Sequence, residues 1–278
     1  HRTGGALHGD LVEYTVLDTK PDGRREGAVV SVVRPTGERI VGLVTRVVPR
    51  VEVTPFDSRA GVKFFLEGHA PPGIEEGAAV EIEIPRGAAT HAKPARLLEV
   101  IGPITRPGVD IEVLIRKHHL RVEFPEVVLR ETEGFGDEVP AAELARRHDF
   151  SRDAIFTIDG DTAKDFDDAI CVARDPRGGF DLSVHIADVA HYVRPGTATD
   201  IEARLRGTSV YFPGRAIPML PPGLSENLCS LRPQVPRLVQ SVLMKIDERG
   251  VMTGARFTDG WIRSRARLTY GRVNALLG

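Results

Sequence analysis

Residues 155–172, Ile-Phe-Thr-Ile-Asp-Gly-Asp-Thr-Ala-Lys-Asp-Phe-Asp-Asp-Ala-Ile-Cys-Val, constrain this chain more than any other stretch. Five carboxylates (Asp159, Asp161, Asp165, Asp167 and Asp168) fall within ten residues, with apolar runs on both sides. The flanks, 155–158 and 169–172, read as short buried strands. The loop between them is therefore expected at the edge of a core, where its charges cannot all reach bulk water. Two like charges about 4 Å apart repel by roughly 4 kcal/mol at an intermediate dielectric, against about 5–15 kcal/mol for the stability of a whole domain. Lys164 is the only positive side chain inside the cluster. Bound cations are the simplest remedy, and donors that are all oxygen favour hard ions, Mg²⁺ or Mn²⁺.

Other readings of the loop compete. A calcium loop of the EF-hand type needs an acid at position 5, glycine at 6 and glutamate at 12. Counting from Asp159 puts Ala163, Lys164 and Ile170 there, so that pattern fails. A phosphatase of the haloacid-dehalogenase type begins Asp-x-Asp-x-Thr; Asp159 and Asp161 fit, but Ala163 occupies the threonine position. A solvated acidic turn is the usual fate of a charge run, but it leaves Phe166 and the apolar flanks unexplained.

The run Thr-Ile-Asp-Gly-Asp-Thr-Ala-Lys-Asp-Phe-Asp-Asp-Ala, residues 157–169, resembles the signature of the RNB family, the catalytic domain of ribonucleases II and R. The glycine after the first aspartate makes the ribonuclease R type the nearer match. The resemblance places the family's four metal-binding, catalytic aspartates on Asp159, Asp165, Asp167 and Asp168; Asp161 falls at a variable position. It implies a processive 3′→5′ exoribonuclease that uses Mg²⁺ or Mn²⁺, acts on single-stranded RNA with a free 3′ end and releases nucleoside 5′-monophosphates. Asp159 and Asp168 would hold one ion, while Asp165 and Asp167 complete a second site or orient water.

At 278 residues and 41% apolar content the chain can bury a core of one to three domains. A net charge of −2 announces no basic nucleic-acid binder, so an RNA track must be a local patch. Cys171 and Cys229 are too few for a disulfide framework or a zinc site, which suits a reducing cytoplasm. No apolar run reaches membrane-spanning length and no signal peptide is evident; a monomer is expected. The first residue is His1 rather than methionine, and a piece of a longer protein is expected.

Ahead of the acidic loop, alternation at Val12, Tyr14 and Val16, the turn Pro21-Asp22-Gly23 and the run 28–33 predict a hairpin. Arg24 and Arg25 at its tip either touch phosphate or keep the turn soluble. It resembles the closing strands of a first cold-shock domain. Strand candidates at 40–48, 51–54, 63–66, 79–84 and 95–100 predict a small barrel of the OB type. Such barrels stack bases on aromatics above a basic groove. Phe56, Phe64, Phe65, Arg46, Arg50, Arg59 and Lys63 are the available parts, with Phe64 and Lys63 the chosen RNA-contact candidates. Alternation turns Phe64 and Phe65 to opposite sides, so at least one belongs to the core. Asp110 is expected to cap a helix carrying Ile111, Leu114 and Ile115, and Pro125 and Pro140 to open two more. The cluster 116–119, Arg-Lys-His-His, faces either RNA or solvent.

Beyond the loop, residues 180–187 predict a strand and Thr197 caps a helix over 199–206. His185, Asp188 and His191 invite a metal-site reading, but imidazoles suit zinc better than hard ions, and a structural role is expected. Tyr211-Phe212-Pro213-Gly214 through Pro221 is a rigid loop matching the family's, in which the tyrosine packs against the nucleotide at the RNA 3′ end. Residues 224–233, Leu-Ser-Glu-Asn-Leu-Cys-Ser-Leu-Arg-Pro, also match, with Cys229 read as a packed thiol. The segment 266–270 resembles the family's Ala-x-Leu-x-Tyr, which puts Tyr270 near the scissile end. From the residues alone Tyr211 and Tyr270 could equally be core.

The fold expected is α+β: the end of a first cold-shock domain (1–39), a second cold-shock domain (40–102), a helical linker (103–150) and the first part of the catalytic domain (151–278). The family's catalytic arginine, further acidic residue, stacking phenylalanine and S1 domain would follow residue 278. The rival class is a non-catalytic OB-fold RNA-binding protein with a degenerate nuclease domain.

Overall fold

A computed structural model describes residues 6, 11–34, 39–57, 63–68, 70–71, 73–84, 93–176 and 178–278. Arg59, named above as a possible RNA contact, lies outside them. The chain divides into two compact units, His1–Val122 and Glu123–Gly278.

In the first unit, β1 (Leu11–Thr19) and β2 (Arg25–Arg34) form the expected antiparallel hairpin, with Thr19 opposite Arg25. Arg24 at its tip is tied to Asp22, Nε to Oδ2 at 2.7 Å. Five strands, β3 (Arg39–Arg46), β4 (Glu52–Pro55), β5 (Phe64–Leu66), β6 (Ala78–Glu83) and β7 (Lys93–Pro103), close into a barrel in the order β3-β4-β5-β7-β6. Alternation drives this: Val44, Val53, Phe64, Val80, Ile82 and Ala95 point inward and are buried. Gly42 lets β3 and β4 touch, since a Cβ there would lie 2.5 Å from Val53 Cγ1. Helix α1 (Val109–Lys117) packs Val109 and Val113 against Val41, Ala79 and Ile101. Asp110 does not cap it; Gly108, at φ 88°, is the residue before the helix, and Asp110 sits in the first turn. Arg116 is engaged by Glu81 at 2.5 Å and Glu99 at 2.8 Å, so that guanidinium is spent within the unit.

The second unit starts with α2 (Glu126–Glu133) and α3 (Ala141–Leu144), each preceded by the expected proline, Pro125 and Pro140. Its centre is a seven-stranded mixed sheet. In chain order the strands are β8 (His148–Asp149), β9 (Phe156–Asp159), β10 (Asp168–Arg174) and β11 (Phe180–Ala187). Helices α4 (Val189–Tyr192) and α5 (Ala198–Arg206) follow, then the small hairpin β12 (Val210–Phe212) and β13 (Arg215–Ile217). The sheet is completed by β14 (Pro236–Ile246), β15 (Met252–Arg263) and β16 (Ala266–Thr269), before α6 (Tyr270–Leu277). The order is β16-β9-β10-β11-β14-β15-β8, parallel only at its two edges. Thr197 caps α5 as expected, accepting from the Asp200 amide.

The core beneath this sheet gathers Ile155, Phe166, Ala169, Leu224, Leu228, Leu231, Leu238 and Ile262. Burying each of the larger side chains contributes about 1.5–3 kcal/mol. Phe166 and Ala169 belong to this list, so the acidic loop is rooted in the core from inside its own sequence. Among the described residues no helix is long and apolar enough to cross a membrane.

Candidate active site

Two neighbouring antiparallel strands carry the site. Asp159 is the last residue of β9 and Asp168 the first of β10, and Ile170 pairs with Phe156. The loop of residues 160–167 therefore connects the ends of two neighbouring interior strands. On the other flank of β9, β16 runs parallel with Thr269 opposite Asp159. Tyr270 follows Thr269 and opens α6, so register places it beside the first aspartate.

Burial raises the Asp159 carboxyl from its ordinary value and the charges of Asp168 and Asp165 push the same way, while the Thr157 side chain and Arg267 oppose them. Asp167 is raised too, first by burial and then by Asp165, Asp168 and Asp159. Asp159 and Asp167 thus feel the charges of the neighbouring aspartates. Asp159 Oδ2 is buried with no hydrogen-bond partner among the described residues. An oxygen-only donor set with an orphaned buried carboxylate oxygen fits a hard divalent ion. Among the described residues no group of three or more Asp, Glu, His or Cys side chains is placed to hold a metal ion. One carboxylate is turned elsewhere: Asp165 Oδ2 accepts a 2.5 Å hydrogen bond from the Tyr211 hydroxyl, which is delivered by β12.

Arg267 was not anticipated. Its Nη2 donates to the Gly160 and Asp161 carbonyls, each at 2.7 Å, and its guanidinium lies 5.2 Å from the centre of the Phe166 ring. One cation thus grips the loop backbone, faces an aromatic ring and lowers Asp159. The sequence holds no local sign of this, because 107 residues separate Arg267 from Gly160.

The histidine cluster has the structural role. His185 is fully buried, its Nδ1 paired with Ser241 Oγ at 2.8 Å and its Nε2 with Ser183 Oγ at 3.0 Å. Asp188 holds Arg147 at 2.7 Å, and His191 Nδ1 lies 3.4 Å from the same guanidinium. In the barrel, Phe64 is 0% exposed, so its assignment as an RNA contact is corrected: a ring in the core offers no face to a base. Phe65 is the outward aromatic, with the Arg50 guanidinium 4.0 Å from its ring centre. Lys63 is paired with the buried carboxylate of Glu52, which Arg46 also approaches at 3.6 Å. Its charge therefore has a partner on the neighbouring strand.

Together these features define a cold-shock barrel followed by a mixed α/β domain with an acidic loop at the ends of two adjacent sheet strands. Residues 147–278 match the RNB domain and residues 53–125 match a cold shock domain. The whole chain is 39% identical to ribonuclease R of Vibrio parahaemolyticus, of which it covers 33%. Over 96% of its length it is 38% identical to ribonuclease R of Escherichia coli, again covering 33% of that relative. A solved structure titled as Mycoplasma genitalium RNase R in complex with ribose methylated single-stranded RNA superposes with a TM-score of 0.82 at 29% identity, over 99% of this chain and 44% of that one. The chain belongs to the RNB family. It spans about a third of the length of the curated relatives named here.

Proposed function

We propose that this chain supplies the metal-binding part of a processive 3′→5′ exoribonuclease of the ribonuclease R kind. Its substrate is single-stranded RNA entered from a free 3′ end, and its products are nucleoside 5′-monophosphates. The observation that supports the reading is that Asp159 and Asp168 stand at the ends of the paired strands β9 and β10, with Asp165 and Asp167 on the loop between them and the buried Asp159 Oδ2 without a partner among the described residues.

The residues divide the work by position. Asp159 and Asp168, at the ends of adjacent strands, are fixed by the sheet and hold a divalent ion between them. Asp165 and Asp167, on the loop, complete a second position or orient the attacking water. When bound, Mg²⁺ or Mn²⁺ ions supply activation of water and neutralisation of charge at phosphorus and the leaving oxygen. Tyr211, exposed beside Asp165, packs against the terminal nucleotide, and Tyr270, beside Asp159, lies near the scissile end. In the barrel, the Phe65 ring is the surface on which a base can stack.

In this arrangement residues 1–39 end a first cold-shock domain, 40–102 form a second, 103–150 connect, and 151–278 begin the catalytic domain. The protein acts as a monomer in the cytoplasm. The test is Asp167→Asn in the full-length protein. Loss of RNA degradation with RNA binding retained supports the enzyme. Unchanged degradation refutes it, and a wild-type protein that binds RNA without degrading it favours the non-catalytic alternative.

A further inference from the structure

We propose that Ser230, in the segment 224–233 whose chemistry the sequence leaves blank, is a positioning residue that fixes the acidic loop around Asp165. The proposal rests on the reading of the loop aspartates as ion-holding groups.

Ser230 is fully buried, and its one hydroxyl serves two loop backbone groups. It donates to the Lys164 carbonyl at 2.8 Å and accepts from the Phe166 amide at 3.1 Å. Those two groups flank Asp165 on either side. The hydroxyl thus uses its donor and an acceptor position at once, much as a strand residue would. The next residue continues the pairing, with the Leu231 amide donating to the Phe166 carbonyl at 2.8 Å. Asp167 has its own restraint, because its carbonyl accepts from the Ala187 amide at 2.9 Å. Asp165 lies outside the β9 and β10 ladders, and Ser230 stands in for one.

The serine is itself held. Arg237, 3% exposed, donates from Nε to the Ser230 carbonyl at 3.0 Å and the Asn227 carbonyl at 2.9 Å. Its Nη2 reaches Asn227 Oδ1 at 2.7 Å and its Nη1 the Pro236 carbonyl at 2.8 Å. A buried guanidinium that bonds to both Asn227 and Ser230 ties that turn to β14 and makes it rigid. The π-helical turn Leu224–Leu228 and the residues after it therefore form a fixed post, with the Ser230 hydroxyl at its tip.

The experiment compares Ser230→Ala and Ser230→Thr with the wild-type chain, using Ser225→Ala as control. Ser225 also carries a hydroxyl in that turn, but among the described residues it bonds to the Leu220 and Pro221 carbonyls, both at 3.3 Å, and not to the loop. Amide hydrogen exchange is read without metal, and Mn²⁺ alone is titrated by electron paramagnetic resonance. In Ser230→Ala the Phe166 amide should exchange about tenfold faster while the β10–β11 ladder amides keep their rates, and Mn²⁺ affinity should fall about tenfold. Ser230→Thr should recover both, and Ser225→Ala should change neither. The proposal is overturned if the Phe166 amide keeps its wild-type rate in Ser230→Ala. It is equally overturned if the ladder amides speed up as much, or if the loop loosens with Mn²⁺ affinity unchanged. A wild-type chain that takes up no Mn²⁺ sinks the ion-holding reading instead, and the exchange rates alone then decide for or against the post.

Discussion

The Tyr211 hydroxyl donates to Asp165 Oδ2 at 2.5 Å, joining strand β12 of the small hairpin to the acidic loop. That bond holds the phenol proton more tightly than usual, and it occupies a carboxylate oxygen that an ion would also seek. Tyr211→Phe keeps the ring and removes the competitor. Its thermal midpoint should stay at the wild-type value, because the side chain is 64% exposed. Half-saturation by Mn²⁺ should move to lower concentration. An unchanged or weaker Mn²⁺ titration would show that the hydroxyl does not compete for Asp165.

Arg267 bonds to two loop carbonyls and lies near the Phe166 ring, so its loss is felt in stability as well as in charge. Arg267→Met should lower the stability to urea by about 1–2 kcal/mol, the net worth of such bonds. Arg267→Lys should recover less than half of that, since an ammonium lacks the planar fork. Urea midpoints of the three proteins check this; equal midpoints for arginine and lysine would remove the fork from the account.

In the barrel, neighbouring phenylalanines should behave oppositely. Phe64→Ala leaves a cavity among buried side chains and should cost about 3–5 kcal/mol, enough to unfold the unit. Phe65→Ala, beneath Arg50, should leave the unfolding midpoint nearly in place and weaken single-stranded RNA binding, by about 1–3 kcal/mol if one base stacks there. Thermal unfolding and RNA titration of both variants separate a core ring from a surface one.

Burial pushes the His185 imidazole down to about 4, whereas an unfolded histidine titrates near 6.5. The folded state holds the ring neutral, so between these values the unfolded chain binds the extra proton. The contribution is complete above pH 6.5 and is lost as pH falls towards 4, amounting to about 3 kcal/mol. The raised carboxyls of Asp159 and Asp167 act in the opposite direction as pH falls, so the histidine part must be isolated. Denaturant titrations of wild type and His185→Gln at pH 7 and pH 4.5 do so. The variant should lose less stability on acidification, and equal losses would remove His185 as the cause.

Much of this was legible in the sequence because the signals were local. Short runs between Pro and Gly turns marked all five barrel strands, apolar runs marked the strands on both sides of the acidic loop, and the spacing of Asp159, Asp165, Asp167 and Asp168 carried the family. Thr197 declared its helix by capping chemistry. What the sequence could not reveal is pairing between distant segments. The parallel register of β16 on β9, which sets Thr269 opposite Asp159, has no local trace, nor do the grips of Arg267 and Ser230 on the loop. Alternation showed that Phe64 and Phe65 face opposite ways without saying which way is in. Lys63 looked like a free cation because its buried partner, Glu52, lies on the neighbouring strand. Asp110 looked like a cap because the chain turn at Gly108 was not visible.

The most direct measurement is a Mn²⁺ titration of the chain, followed by electron paramagnetic resonance, beside Asp159→Asn and the double variant Asp159→Asn, Asp168→Asn. The account predicts saturable uptake approaching two ions per chain in the wild type, weakened in the single variant and abolished at the tighter site in the double one. Uptake that is undiminished in the double variant, or absent from the wild type, would contradict it.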